Sequence, residues 1–198
     1  MRSFVTRLSF PRMLLTLVFA IAMGAGSAAN ATVFNYIAFL DGLSESPPVA
    51  STGIGSGEVT IDDVALTMRV QATFAGLIGN TTASHIHAAT AVAGAGTAGV
   101  ATTTPTFAGF PLGVKSGAYD ITLDMTLASS YNPSYVTAHG GTPASARADL
   151  FAAIAAGKAY LNIHSTFVAS GEIRGFLLPF SPTPTNTSTW GRIKTLYR

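Results

Sequence analysis

The sequence predicts an all-β protein: an antiparallel sandwich with Greek-key connections and one short helix. Three observations carry that expectation. Apolar and polar residues alternate with a period of two over several stretches, as half-buried strands require. Clusters of Gly, Pro, Asn, Asp and Ser fall between those stretches as turn signals. Only one segment combines a helix-forming run with start and stop residues at its ends. Strands that follow one another without alternating helices favour antiparallel sheets over βαβ units.

Residues 33–40 form the first strand, dominated by Val33, Phe34, Tyr36, Ile37 and Phe39, residue types that fit a pleated surface. Asp41-Gly42 ends it, and Glu45-Ser46-Pro47-Pro48 is a rigid loop because each proline fixes φ and removes a backbone donor. Small, Gly-rich residues 51–57 lead into a strand at 58–61. After the turn at Asp62-Asp63, the residues Leu66, Met68, Val70, Ala72 and Phe74 alternate with Thr67, Arg69, Gln71 and Thr73, which completes a hairpin. A short strand at 82–87 follows, and then residues 88–107, rich in Gly, Ala and Thr, read as a long surface loop. Tyr119, Ile121, Leu123, Met125 and Leu127 alternate with Asp120, Thr122, Asp124 and Thr126 in a second half-buried strand. One helix is expected, with Thr142 as N-cap, Pro143 at its first position, an Ala-rich run over 144–156 and Gly157 just past its end. Its apolar stripe is Leu150, Phe151 and Ile154. Strands at 160–165 and 172–178 close the domain.

The ends of the chain read differently. Arg2, Arg7 and Arg12 precede an apolar run over residues 13–23, and small residues lead to Ala29-Asn30-Ala31. A basic segment, a short apolar run and an A-x-A site make a secretory signal peptide over 1–31, cleaved before Thr32; the alternative is a retained membrane anchor. The domain then covers 32–180, and the Pro/Thr/Ser-rich, basic stretch 181–198 is expected to be a disordered tail.

Composition narrows the function. The 198 residues are 48% hydrophobic and 10% charged, with no cysteine. Disulfide frameworks, cysteine zinc sites and cysteine nucleophiles are therefore excluded. The net charge of +2 comes from the two ends. Between residues 32 and 180 there are 5 basic and 9 acidic residues, so no basic face exists to hold nucleic acid. No nucleophile elbow and no phosphate-binding glycine loop is legible either.

Three of the four histidines are placed suggestively. His85-Ile86-His87 lies in a strand, where residues two apart share a face. Both imidazoles then point one way and Ile86 points to the core. In Tyr160-Leu161-Asn162-Ile163-His164 the core face takes Leu161 and Ile163, leaving Tyr160, Asn162 and His164 on the other face. If the two strands lie close, three imidazoles converge, a ligand set suited to copper or zinc. The alternative is a set of hydrogen-bonding histidines without metal. Glu172 and Arg174 share a strand face, where an ion pair or a bridge holding a loop is expected, and Glu45 is either the partner of Arg174 or a ligand. His139 lies in the loop before the helix.

The order Phe39-Leu40-Asp41-Gly42, Glu45-Ser46-Pro47-Pro48-Val49, Gly55-Ser56-Gly57, Gly76-Leu77, His85-Ile86-His87, Gly157 to Ser165 and Gly171-Glu172-Ile173-Arg174-Gly175 resembles the CHRD domain family, named after chordin. The resemblance implies an extracytoplasmic β-sandwich, immunoglobulin-like or superoxide-dismutase-like, secreted or periplasmic. A fainter likeness adds chemistry. Gly76-Leu77 followed by His85-Ile86-His87, and Asn162-Ile163-His164, are similar to copper-binding strands of copper/zinc superoxide dismutases. That similarity implies His85, His87 and His164 as copper ligands and Arg174 as an anion-steering group. The stretch 88–107 has no His and no Asp, so the bridging histidine and zinc site of those enzymes are missing. Two functions follow. The first is a non-enzymatic secreted module that binds an extracellular protein or surface partner, with no membrane span left after cleavage. The second is a copper-binding or redox protein.

Overall fold

A computed structural model describes residues 32–180; the expected signal segment and basic tail lie outside the described residues. The elements are β1 (Val33–Asp41), β2 (Ile54–Asp62), β3 (Thr67–Ala75), β4 (Thr81–His87), β5 (Gly117–Asp124), α1 (Pro133–Ala138), α2 (Pro143–Ala155), β6 (Tyr160–Ser165), β7 (Ile173–Phe176) and β8 (Leu178–Pro179). The strands form one sheet in the order β4-β6-β7-β1-β2-β3-β5, with β8 also paired to β1. All its pairings are antiparallel, and it curls into a half-barrel that keeps the all-β class.

Alternation explains the core. In β3, Met68, Val70, Ala72 and Phe74 are buried while Arg69 and Thr73 face water. Tyr36, Ala38 and Leu40 of β1 and Val59 and Ile61 of β2 join them on the inner face. α2 closes this core with Ala146, Leu150, Ala153 and Ile154. Its start is held by a capping box, in which Thr142 Oγ1 accepts from the Ser145 N–H; a cap of this kind contributes about 1 kcal/mol.

Four local details depart from the expected elements. β2 starts at Ile54 rather than at residue 58, because the Gly-rich segment pairs in register with both β1 and β3. Small residues are needed there: a Cβ on Gly57 would stand 2.5 Å from Leu161 Cδ2. β5 ends at Asp124, short of Leu127, because the Asp124 carboxylate accepts from the Thr126 N–H and O–H and turns the chain. α1 is an additional short helix; Asn132 caps it by accepting from the Ser134 N–H, and Pro133 opens it. Residues 88–107 form only isolated bridges, yet Ala101 and Phe107 are fully buried. That stretch is packed onto the sheet and is not a free surface loop.

The consequence for function lies in β6. All six of its residues are buried. One face, Leu161 and Ile163, belongs to the core. The other, with Tyr160, Asn162 and His164, is covered by the packed loops. Among the described residues no helix is long and apolar enough to cross a membrane.

Candidate metal centre

β4 and β6 bring the three histidines together. Their register sets His85 opposite Asn162, His87 opposite Tyr160 and Ala83 opposite His164. His164 is thus the diagonal neighbour of His85, within reach of long side chains. Ile86 is fully buried in the core, so both flanking imidazoles take the opposite face. One ring nitrogen from each of His85, His87 and His164 lies within 4.8 Å of those of the other two. The three residues are 6%, 8% and 9% exposed.

Backbone carbonyls decide which nitrogens carry protons. His85 Nε2 sits 2.6 Å from Pro105 O, His87 Nδ1 2.9 Å from Ala98 O and His164 Nδ1 2.9 Å from Ala169 O. A carbonyl only accepts, so each of these nitrogens is an N–H donor and the other ring nitrogen holds a lone pair. His85 Nδ1 and His164 Nε2 then face each other at 3.3 Å with no proton between them. His87 Nε2 is buried without any partner. Carbonyl partners of this kind orient metal-binding histidines and select their tautomer. Nitrogens that share an ion at about 2.0–2.1 Å stand roughly 3.3–3.5 Å apart in tetrahedral geometry, the spacing the first pair already has.

Electrostatics keep the rings neutral. Burial lowers the pKa of His85, His87 and His164, His87 to about 4. Neutral imidazole is the ligand form. Among the described residues no carboxylate joins the cluster, so the side-chain ligands it offers an ion are all imidazole nitrogens.

A second layer flanks His87. Tyr160 stacks on it with centroids 4.8 Å apart and planes 7° from parallel. The Arg174 guanidinium carbon lies 4.7 Å from the Tyr160 centroid. Arg174 is 3% exposed. Its Nε–H donates to Ser44 O and its Nη1 to Gly96 O, and Nε lies 3.7 Å from Glu45 Oε2. Burial raises the Glu45 pKa to about 7 against the opposing effect of Arg174. Glu45 Oε1 and Asn162 Oδ1 are both buried without partners, and both lie 2.6 Å from where a Cβ on Gly171 would stand.

Glu172 belongs to a separate network. Its carboxylate accepts from Ser51 Oγ at 2.6 Å, Ile78 N at 2.6 Å, Gly79 N at 3.1 Å and Ser165 Oγ. Burial alone would raise its pKa, but these donors outweigh it and the pKa is lowered. It ties three chain segments together and makes no ion pair with Arg174. His139 stands apart, stacked on Tyr135 and 2.8 Å from Asp149.

The groups that sequence reasoning missed are the carbonyls of Ala98, Pro105 and Ala169. A carbonyl is common to every residue and leaves no mark in a sequence. For Ala98 and Pro105 the available hint was the small side chains of 88–107, which let a backbone come close; for Ala169 there was none.

A model of the CHRD domain matches residues 36–177. No curated protein and no solved structure matches the chain. With most of its length covered, this protein belongs to the CHRD domain family.

Proposed function

We propose that this CHRD protein is an exported metal-binding module whose centre is a mononuclear copper site formed by His85, His87 and His164. The observation that carries the reading is the set of three carbonyl-fixed tautomers. It leaves the lone pairs of His85 Nδ1 and His164 Nε2 opposed at 3.3 Å, and that of His87 Nε2 buried without a partner in the same cluster. Converging lone pairs repel unless a cation sits among them. Imidazole nitrogens suit copper and zinc, and copper(II) stands highest among divalent ions in the affinity order. Three histidines leave a further position open for water or a small ligand. The expected route of the chain, out of the cytoplasm through the signal segment, and the extracellular type of the family support a role outside the cell.

The test is a titration of the chain from Thr32 to Arg198 with copper and zinc, followed by calorimetry. The unaltered chain binds one copper ion tightly, and the His85→Ala/His87→Ala/His164→Ala variant does not. Equal binding by both overturns the reading.

A partner-binding role is favoured by a different observation. Phe39, Leu43 and Ile54 are 75%, 78% and 66% exposed on and beside the outer face of β1 and β2. Phe39→Ser/Ile54→Ser then abolishes retention of the exported protein on the cell surface, measured by fractionation; unchanged retention rejects this role.

A further inference from the structure

We propose that the Arg174–Glu45 pair, acting across the Tyr160 ring stacked on His87, sets which oxidation state of copper the three histidines prefer. This inference rests on the copper reading above.

The geometry is a buried column. Imidazole, phenol and guanidinium follow one another at 4.8 Å and 4.7 Å, and His87, Tyr160 and Arg174 are 8%, 3% and 3% exposed. Little water screens a charge in such a column, so it acts over a long distance. Copper(II) and copper(I) differ by one unit of charge. A cation at the end of the column disfavours the more positive ion and therefore favours copper(I). Glu45, 3.7 Å from Arg174, opposes that effect when ionised. Its Oε1 has no hydrogen-bond partner, so its charge is not dispersed there. The other buried carboxylate, Glu172, is saturated by its own donors and does not face Arg174. The pair is thus a dipole whose two ends push the copper equilibrium in opposite directions.

Opposite signs make the inference testable. Copper(I) and copper(II) affinities are measured by competition with chromophoric chelators, in alkaline buffer above the Glu45 pKa of about 7. Glu45→Gln, nearly isosteric, raises the copper(I)/copper(II) affinity ratio about tenfold, and Arg174→Gln lowers it about tenfold. A tenfold change corresponds to about 59 mV for one electron. Arg174→Lys keeps the charge and leaves the ratio close to that of the unaltered chain. Both neutralising variants shifting the same way, or neither shifting while one copper ion is still bound, overturns the inference and spares the copper site. Should Arg174→Gln fail to fold, Glu45→Gln alone decides the sign. Failure of the unaltered chain to bind copper overturns the site and the inference together.

Discussion

Two carboxylates in this protein are buried to a similar degree and behave oppositely. Glu172 is 0% exposed and Glu45 8%. Glu172 accepts from two hydroxyls and two backbone N–H groups, and its pKa falls. Glu45 has one cation at 3.7 Å, leaves Oε1 unpartnered, and its pKa rises to about 7. Donors aimed at the oxygens compensate for lost hydration better than a nearby charge without good hydrogen-bond geometry. The first carboxylate is a structural knot. The second carries a charge that the fold leaves partly uncompensated, beside the candidate metal centre.

Glu172→Ala should cost the most stability of any change at the two carboxylates. It removes the acceptor of four donors, two of them backbone groups, and is expected to cost about 3–5 kcal/mol in denaturant unfolding. An effect no greater than that of Glu45→Ala would contradict the contrast.

Acid and alkali should then separate the two groups. A lowered folded pKa, as for Glu172, means stability present above the unfolded value of 4.5 and lost as pH falls. A raised folded pKa, as for Glu45, means stability present below 4.5 and lost as pH rises through about 7. Glu45→Gln is expected to flatten the decline of stability between pH 4.5 and about 7, a difference on the order of 3 kcal/mol across that window. Glu172→Gln leaves that limb intact and flattens the acid limb. Stability curves at several pH values decide, and a Glu45→Gln curve parallel to the unaltered one removes the distinction.

Gly171→Ala tests the surroundings of Glu45 from the backbone side. Gly171 has φ +132° and its Cβ would overlap Asn162 and Glu45, at a cost of about 1–3 kcal/mol. The loss should appear in the melting temperature and should be smaller in a background that already carries Glu45→Ala, where one of the crowded groups is gone. Strict additivity would mean that the strain is elsewhere.

The smallest effect is reserved for an exposed carboxylate. Asp120 accepts two guanidinium N–H bonds from Arg69, at 2.8 and 2.5 Å, on the outer face. Water already competes for both groups, and Asp120→Asn should leave the unfolding midpoint unchanged within error. A loss comparable to that of Glu172→Ala would show that bond number matters more than burial.

Strand identity and facing were legible from residues alone. The alternation at 67–75 and the His85-Ile86-His87 triplet state which side chains share a face, because a strand has a period of two regardless of its surroundings. The helix was equally legible through Thr142, Pro143 and Gly157, whose preferences act locally. The burial of β6 on both faces was not, since Asn162 and His164 read as an outward face until loops are laid over them. The pairing of Glu45 with Arg174 was one of two alternatives the residues left open, and the bond of Glu172 to Ser51 was not legible, because it joins residues far apart in the chain.

The all-β class, the strands that carry His85, His87 and His164, and the shared face of the first two follow from the order of residues alone. Tertiary structure alone decided that all three converge, and that their outer nitrogens meet the carbonyls of Pro105, Ala98 and Ala169. The reason is physical. Side-chain periodicity is written in the order of residues, whereas a carbonyl is the same at every position. Only the folded path of the chain determines which carbonyl an imidazole meets, and therefore which nitrogen keeps its lone pair.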